Sequence, residues 1–240
     1  MKNIKKTICT LILLSMVSYF GNAQDNTPPM GQASFGIYGG INFQNINGKD
    51  AAGTKLENSL VTKFHIGVNE EIPIAPEFFF QVGLQFIGKG AKGPIPYTYT
   101  DLAGSHTTTV TREINMNYLE IPLNLVYKPL VGKGHFILGG GPYVGYAISG
   151  KAKFTGSPAP SDRDITFTKT TPDGDGNNLA NFKHLDVGGN FFFGYQFLSG
   201  FNMIFNSQLG LIDINSDVND ANNKTSNKNT GFGLSLGYRL

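Results

Sequence analysis

The closing segment Phe232-Gly233-Leu234-Ser235-Leu236-Gly237-Tyr238-Arg239-Leu240 decides how the whole chain is read. Side chains on a β-strand alternate between two faces. Phe232, Leu234, Leu236, Tyr238 and Leu240 therefore share one face, and Gly233, Ser235, Gly237 and Arg239 the other. One side is large and apolar, the other small or polar. An amphipathic helix would space its apolar residues by three and four, which this segment does not.

Seven earlier segments repeat the pattern. Upstream lie Phe201, Met203, Phe205, Leu209 and Leu211 against Asn202, Asn206, Gln208 and Gly210. Before them come Leu185, Val187, Phe191, Phe193, Tyr195 and Phe197 against Asp186, Gly188, Asn190, Gly194 and Gln196. The other five apolar faces run from Phe35 to Phe43, Phe64 to Ile72 (interrupted by Glu70), Phe78 to Phe86, Leu119 to Tyr127 and Phe136 to Ile148. Eight strands result, an even number.

The facing residues separate two architectures. A soluble β-sandwich buries its apolar face and carries charge on the other. Here the second face is mostly Gly, Asn, Gln, Ser and Tyr, and only 15% of the chain is charged. That suits a narrow barrel with lipid outside and a polar interior. Connections alternate as well. Pro73-Ile74-Ala75-Pro76, Pro129-Leu130-Val131-Gly132 and Leu198-Ser199-Gly200 are tight, whereas Asn47 to Ser59, Lys89 to Thr111, Gly150 to Lys183 and Asp213 to Lys228 are long and polar. Short periplasmic turns and long extracellular loops give that asymmetry. Phe78, Tyr127, Phe136, Phe197, Phe201 and Tyr238 face outward beside the short turns, as an aromatic girdle at a membrane boundary does. The expected fold is all-β: an eight-stranded antiparallel up-and-down transmembrane β-barrel. A soluble periplasmic β-sandwich is the alternative.

The amino-terminal end fits export. Basic Met1-Lys2-Asn3-Ile4-Lys5-Lys6 precedes an apolar stretch from Ile8 to Phe20, and Gly21-Asn22-Ala23 offers small residues before Gln24. Residues 1–23 are expected to be a cleaved signal peptide, 24–33 a periplasmic extension and 34–240 the barrel. The only cysteine, Cys9, falls inside the signal, so the exported chain has no disulfide or thiolate metal site. Removing Lys2, Lys5 and Lys6 takes the balance from 19 cations and 17 acids to 16 and 17. No basic surface for nucleic acid follows.

Several motifs resemble a known family. Phe64-His65-Ile66-Gly67-Val68 with Glu71-Ile72-Pro73, Tyr118-Leu119-Glu120-Ile121-Pro122-Leu123, Gly139-Gly140-Gly141-Pro142-Tyr143 and Phe232 to Tyr238 are similar to segments of the PorT-like outer-membrane β-barrel proteins of Bacteroidetes. The resemblance covers Phe35 to Leu240. It implies an eight-stranded barrel in a Gram-negative outer membrane, with no catalytic residues to carry over. Such barrels commonly end in Phe; Leu240 keeps the terminal position apolar, so insertion is expected to survive. The partners expected are outer-membrane lipid, the outer-membrane insertion machinery and, by analogy, an extracellular or secretion-system protein.

An eight-stranded barrel has room inside only for side chains, and buried charges need partners. Glu71, Lys128 and Arg239 near the turns, and Glu120 and Asp186 higher up with His65, are expected to form a bracing lumenal charge network. A proton or small-ion path through a narrow channel is the functional alternative. Catalytic, cofactor and metal sites are expected to be none. The one arrangement suited to an outer-rim enzyme, lipid A-modifying or hydrolytic, is His184 with Asp186, two residues apart and so on one strand face. Asp173-Gly174-Asp175-Gly176-Asn177 has the oxygen spacing of a calcium loop, but His184 stands where a bidentate Glu belongs. Gly139 and Gly141 are expected to leave lumenal space for Tyr38, Tyr118 and Tyr143. The expected role is non-enzymatic: structural, binding or assembly-accessory, with ligand or partner contact through the outer loops.

Overall fold

The computed structural model describes residues 32–171, 180–218 and 224–240. The signal segment falls outside them, as do most of the 24–33 extension and the Asp173–Asn177 motif. In chain order the strands are β1 (Ser34–Lys49), β2 (Val61–Ala75), β3 (Phe78–Asp101), β4 (Gly104–Tyr127), β5 (Gly134–Thr155), β6 (Arg163–Asp164), β7 (Thr166–Phe167), β8 (Asn181–Phe182), β9 (Leu185–Phe197), β10 (Phe201–Gly210) and β11 (Ser226–Arg239). The long strands pair in the order β4-β3-β2-β1-β11-β10-β9-β5, and β4 pairs with β5 to close the ring. All eight are antiparallel to their neighbours. No sheet edge remains in the body of the barrel, so the strands pair with one another around the whole ring rather than with water. That is what lets strands cross a bilayer.

The apolar face points away from the lumen. Phe64 is 57% exposed, Ile66 61% and Leu125 53%, while the intervening His65 and Asn124 are buried. A sandwich would bury the first set, so the soluble alternative fails on this geometry. On β4 the apolar outward run from Leu119 to Tyr127 matches the roughly 9–11 residues that a transmembrane strand requires.

Two expectations about the connections need correction. Lys89 to Thr111 is not a loop. β3 and β4 continue as one paired hairpin up to Asp101↔Gly104, turning at Leu102-Ala103. Similarly, β5 continues past Gly150 to Thr155. These strands outlast the membrane, and once above it their pattern inverts. Ile114, Met116, Ala152 and Phe154 are buried inside, whereas Glu113, Asn115, Lys151 and Lys153 occupy the other face.

The lumenal glycines also make room differently. A Cβ on Gly139 would strike the Phe192 ring, and one on Gly141 the Leu123 carbonyl. The tyrosines instead lie over other glycines. A Cβ would come within 2.8 Å of Tyr38 at Gly67, 3.4 Å of Tyr118 at Gly145 and 2.6 Å of Tyr143 at Gly188.

Candidate functional site

The lumen divides into three levels. At the turn end, Glu71 sits between Lys128 (Nζ to Oε2, 2.8 Å) and Arg239 (Nη2 to Oε1, 2.9 Å). Gln81 donates to Glu71 at 3.1 Å, Lys128 to Gln196 at 2.8 Å, and Arg239 to Asn69 at 2.7 Å. β2 supplies the acid, while Lys128, just past the end of β4, and Arg239 of β11 supply the cations, so this cluster ties three parts of the ring together across the lumen.

Above it lies a cavity of about 80 Å³ lined largely by amides, among them Gln81, Gln85, Asn124, Asn190, Gln196 and Gln208. His65 borders it, with Nε2 2.7 Å from the Ser235 hydroxyl and Nδ1 3.3 Å from Asn42.

The next charged cluster centres on Lys89, a β3 residue within the stretch expected to be a loop. Lys89 is fully buried, with its ammonium 2.8 Å from Glu120 and 3.0 Å from Asp186. It lies 4.2 Å from the centre of the Tyr143 ring and 5.4 Å from that of Tyr118. Gln85 (2.6 Å) and Gln208 (2.5 Å) donate to Glu120, and Asn229 (2.9 Å) donates to Asp186. The two carboxylates therefore share one cation and several neutral donors. The five charges expected to form one network are thus distributed over two clusters, and the missing cation of the upper one is Lys89.

The third level is apolar. Ile46, Ile87, Val110, Ile114, Met116 and Phe154 from the strands pack with Ile165, Ala180, Phe182 and Ile214 from the long connections. These connections fold over and into the barrel mouth. Parallel β7 and β8 pair through Phe167↔Phe182, Lys183 reaches Asp217 at 2.7 Å, and the Asp213 carboxylate caps the amides of Asn215 and Asn227. Burial beside this core pulls the Arg112 guanidinium down to about 10, still cationic at neutral pH. The loops expected to be polar thus contribute an apolar plug.

His184 and Asp186 do not meet on one face. Asp186 points into the lumen toward Lys89. His184 precedes β9, and its ring stacks between Tyr146 (4.5 Å) and Phe167 (5.0 Å), with Nδ1 2.8 Å from the Ala147 carbonyl. Among the described residues no carboxylate orients the imidazole, and His184 and Asp186 do not have the geometry of an acid–base pair. His106 is paired with Asp101 at 3.2 Å on the exposed β3–β4 hairpin, and His135 lies 3.3 Å from the Lys128 carbonyl. Among the described residues no cluster of His, Cys, Asp and Glu could hold a metal.

At the turn end Phe78 stacks on Tyr127 (4.8 Å) and Phe197 on Phe201 (6.0 Å). Phe136 and Tyr238 stand exposed on the same outward face, and Tyr127 is half-buried.

Residues 22–216 match the family model described as outer membrane protein beta-barrel domain. Among solved structures the chain is similar to Ail, the attachment invasion locus protein of Yersinia pestis, in complex with the heparin analogue sucrose octasulfate. Identity is 14% over 88% of this chain and 100% of that one, with a TM-score of 0.41. It is also similar to the outer membrane protein OprG from Pseudomonas aeruginosa, at 15% identity over 89% and 99% of the two chains, with a TM-score of 0.37. No curated protein matches.

Proposed function

The chain belongs to the outer membrane protein beta-barrel domain family, and from that premise we propose that it is a non-enzymatic, non-conducting barrel whose loop end is a rigid contact surface. The loop end faces outside the cell and the short turns face the periplasm, the orientation usual for such barrels. One observation carries this reading: Ile165, Ala180, Phe182 and Ile214 of the long connections lie buried within the barrel mouth. A pore needs its loops clear of the lumen. Here they fill it, directly above the Lys89–Glu120–Asp186 cluster. Recognition is left to the outer surface of that cap and to the β3–β4 hairpin, since binding commonly sits on loops held by a rigid scaffold.

Residues 1–23 are the export signal, 24–33 a periplasmic extension, and the Phe232–Leu240 strand is what the insertion machinery takes up. Kinship with the PorT-like proteins of Bacteroidetes makes an extracellular or secretion-system protein the partner class to seek.

Two measurements test this reading. Purified barrel that shows an unboiled, faster-migrating gel band should give no steady conductance in a planar bilayer; a steady open channel would overturn the proposal. Ala103→Cys, at the hairpin turn, should be labelled by a membrane-impermeant maleimide on intact cells, and protection there would reverse the orientation.

A further inference from the structure

β5 changes phase where it leaves the membrane. Its pairing with β4 slips between Asn117↔Ser149 and Tyr118↔Ala147, leaving Ile148 as the extra residue of a bulge. Below the slip Val144, Tyr146 and Ile148 point outward; above it Ser149, Lys151 and Lys153 do. Without the bulge Gly150, Ala152 and Phe154 would face out and the two lysines would enter the apolar plug. Bulges commonly serve to re-aim a side chain in this way.

The re-aimed lysines join others. Residues opposite one another in register share a face. Lys92 stands opposite Glu113, Glu113 opposite Lys153, and Asn115 opposite Lys151. Lys63 of β2 donates to the Asn115 side chain. Lys92, Lys151 and Lys153 thus cluster on the outward face of β3–β5, with the Lys63 ammonium reaching Asn115 from β2, against the acids Glu113, Asp164, which stands opposite Lys151, and Asp162, whose carboxylate accepts from the Phe154 amide. Among the described residues none of these charged side chains forms an ion pair. The patch rises directly from the lipid-facing band, where Phe64, Leu119, Tyr146 and Ile148 are exposed.

We infer that this patch binds the phosphate groups of an outer-leaflet phosphoglycolipid whose acyl chains lie on the apolar band beneath. Charge complementarity and continuity with the lipid face select that occupant over a soluble anion, which would gain nothing from the apolar surface. The inference rests on the orientation proposed above, because only with the loop end outside does the patch meet the outer leaflet.

The test uses the full exported barrel in phosphatidylcholine nanodiscs containing lipid A with two phosphates, with retained lipid counted by native mass spectrometry. A lysine beside an anionic surface contributes about fivefold in affinity. Lys151→Gln with Lys153→Gln should therefore weaken retention about 25-fold. Lys151→Arg with Lys153→Arg should retain lipid A, and so should Lys228→Gln, a lysine on β11 outside the patch. Monophosphoryl lipid A should bind the wild type more weakly than the diphosphoryl form. Unboiled gel migration verifies that each variant is folded. Equal retention by the glutamine pair and the wild type, or indifference to phosphate number, would overturn the site. Nanodisc binding does not depend on cellular orientation, so failure here and failure of Ala103→Cys labelling are separate results.

Discussion

Replacing Lys89 by Met removes the one cation shared by Glu120 and Asp186 at nearly the same side-chain length. At an effective dielectric of about 20, contacts of 2.8 and 3.0 Å correspond to attractions of about 6 kcal/mol each before desolvation. Burying the ammonium consumes most of that. What the variant exposes is the cost of two carboxylates left in a closed space. Breaking a buried pair from one side typically costs about 3–5 kcal/mol. Gln85, Gln208 and Asn229 still donate to the carboxylates, which places the expected loss near the lower end, about 3 kcal/mol. Neutralising the acids as well, with Glu120→Gln and Asp186→Asn beside Lys89→Met, should recover most of it, because a fully neutral buried set is often no less stable. The assay is reversible urea unfolding in lipid vesicles, followed by tyrosine emission, since the chain has no tryptophan and 10 tyrosines. A Lys89→Met barrel within about 1 kcal/mol of the wild type, or a triple variant no better than the single, would refute the bracing role given to Lys89.

Other substitutions probe other levels. Glu71→Gln leaves Lys128 and Arg239 facing each other, but at a mouth open to water; about 1–3 kcal/mol should be lost in the same unfolding assay, with the heat-dependent gel shift intact. Glu77 ends the β2–β3 turn at a φ of 65°, where a side chain is strained, so Glu77→Gly should raise the urea midpoint by about 0.5–1 kcal/mol equivalent. His184→Ala removes a ring stacked on both faces and should cost about 1 kcal/mol while leaving the cellular lipid A profile unchanged; an altered profile would revive an enzyme at the rim.

The membrane-embedded half was legible because lipid imposes a simple rule. Leu119, Ile121, Leu123 and Leu125 must be apolar and the residues between them need not be, and period 2 follows. Above the bilayer that rule reverses, so Ile114 and Met116 moved inside while Glu113 and Asn115 turned outward. Apolar outward faces therefore stop short of the strand ends, which leaves Lys89 of β3 in a stretch that reads as a loop. The signal was present as an inverted alternation, with Gln85, Ile87, Lys89 and Ala91 buried on one face. Glu71, Glu120, Lys128, Asp186 and Arg239 were identifiable as interior by parity alone. Their grouping by height was legible too, from their distance to the short turns; that the upper group is closed separately by Lys89 was not, because Lys89 lies beyond the outward apolar run of β3. The separation of His184 from Asp186 was equally hidden, because it depends on where β9 begins.

The most direct test is a spin-label scan along Leu119 to Tyr127, one cysteine at a time, in a chain whose only native cysteine is Cys9. Oxygen collision rates should peak at 119, 121, 123, 125 and 127 and fall at the four positions between, because alternate side chains meet lipid and lumen. Labels at the odd positions that are shielded from oxygen, as in a packed protein core, would contradict a membrane-spanning barrel.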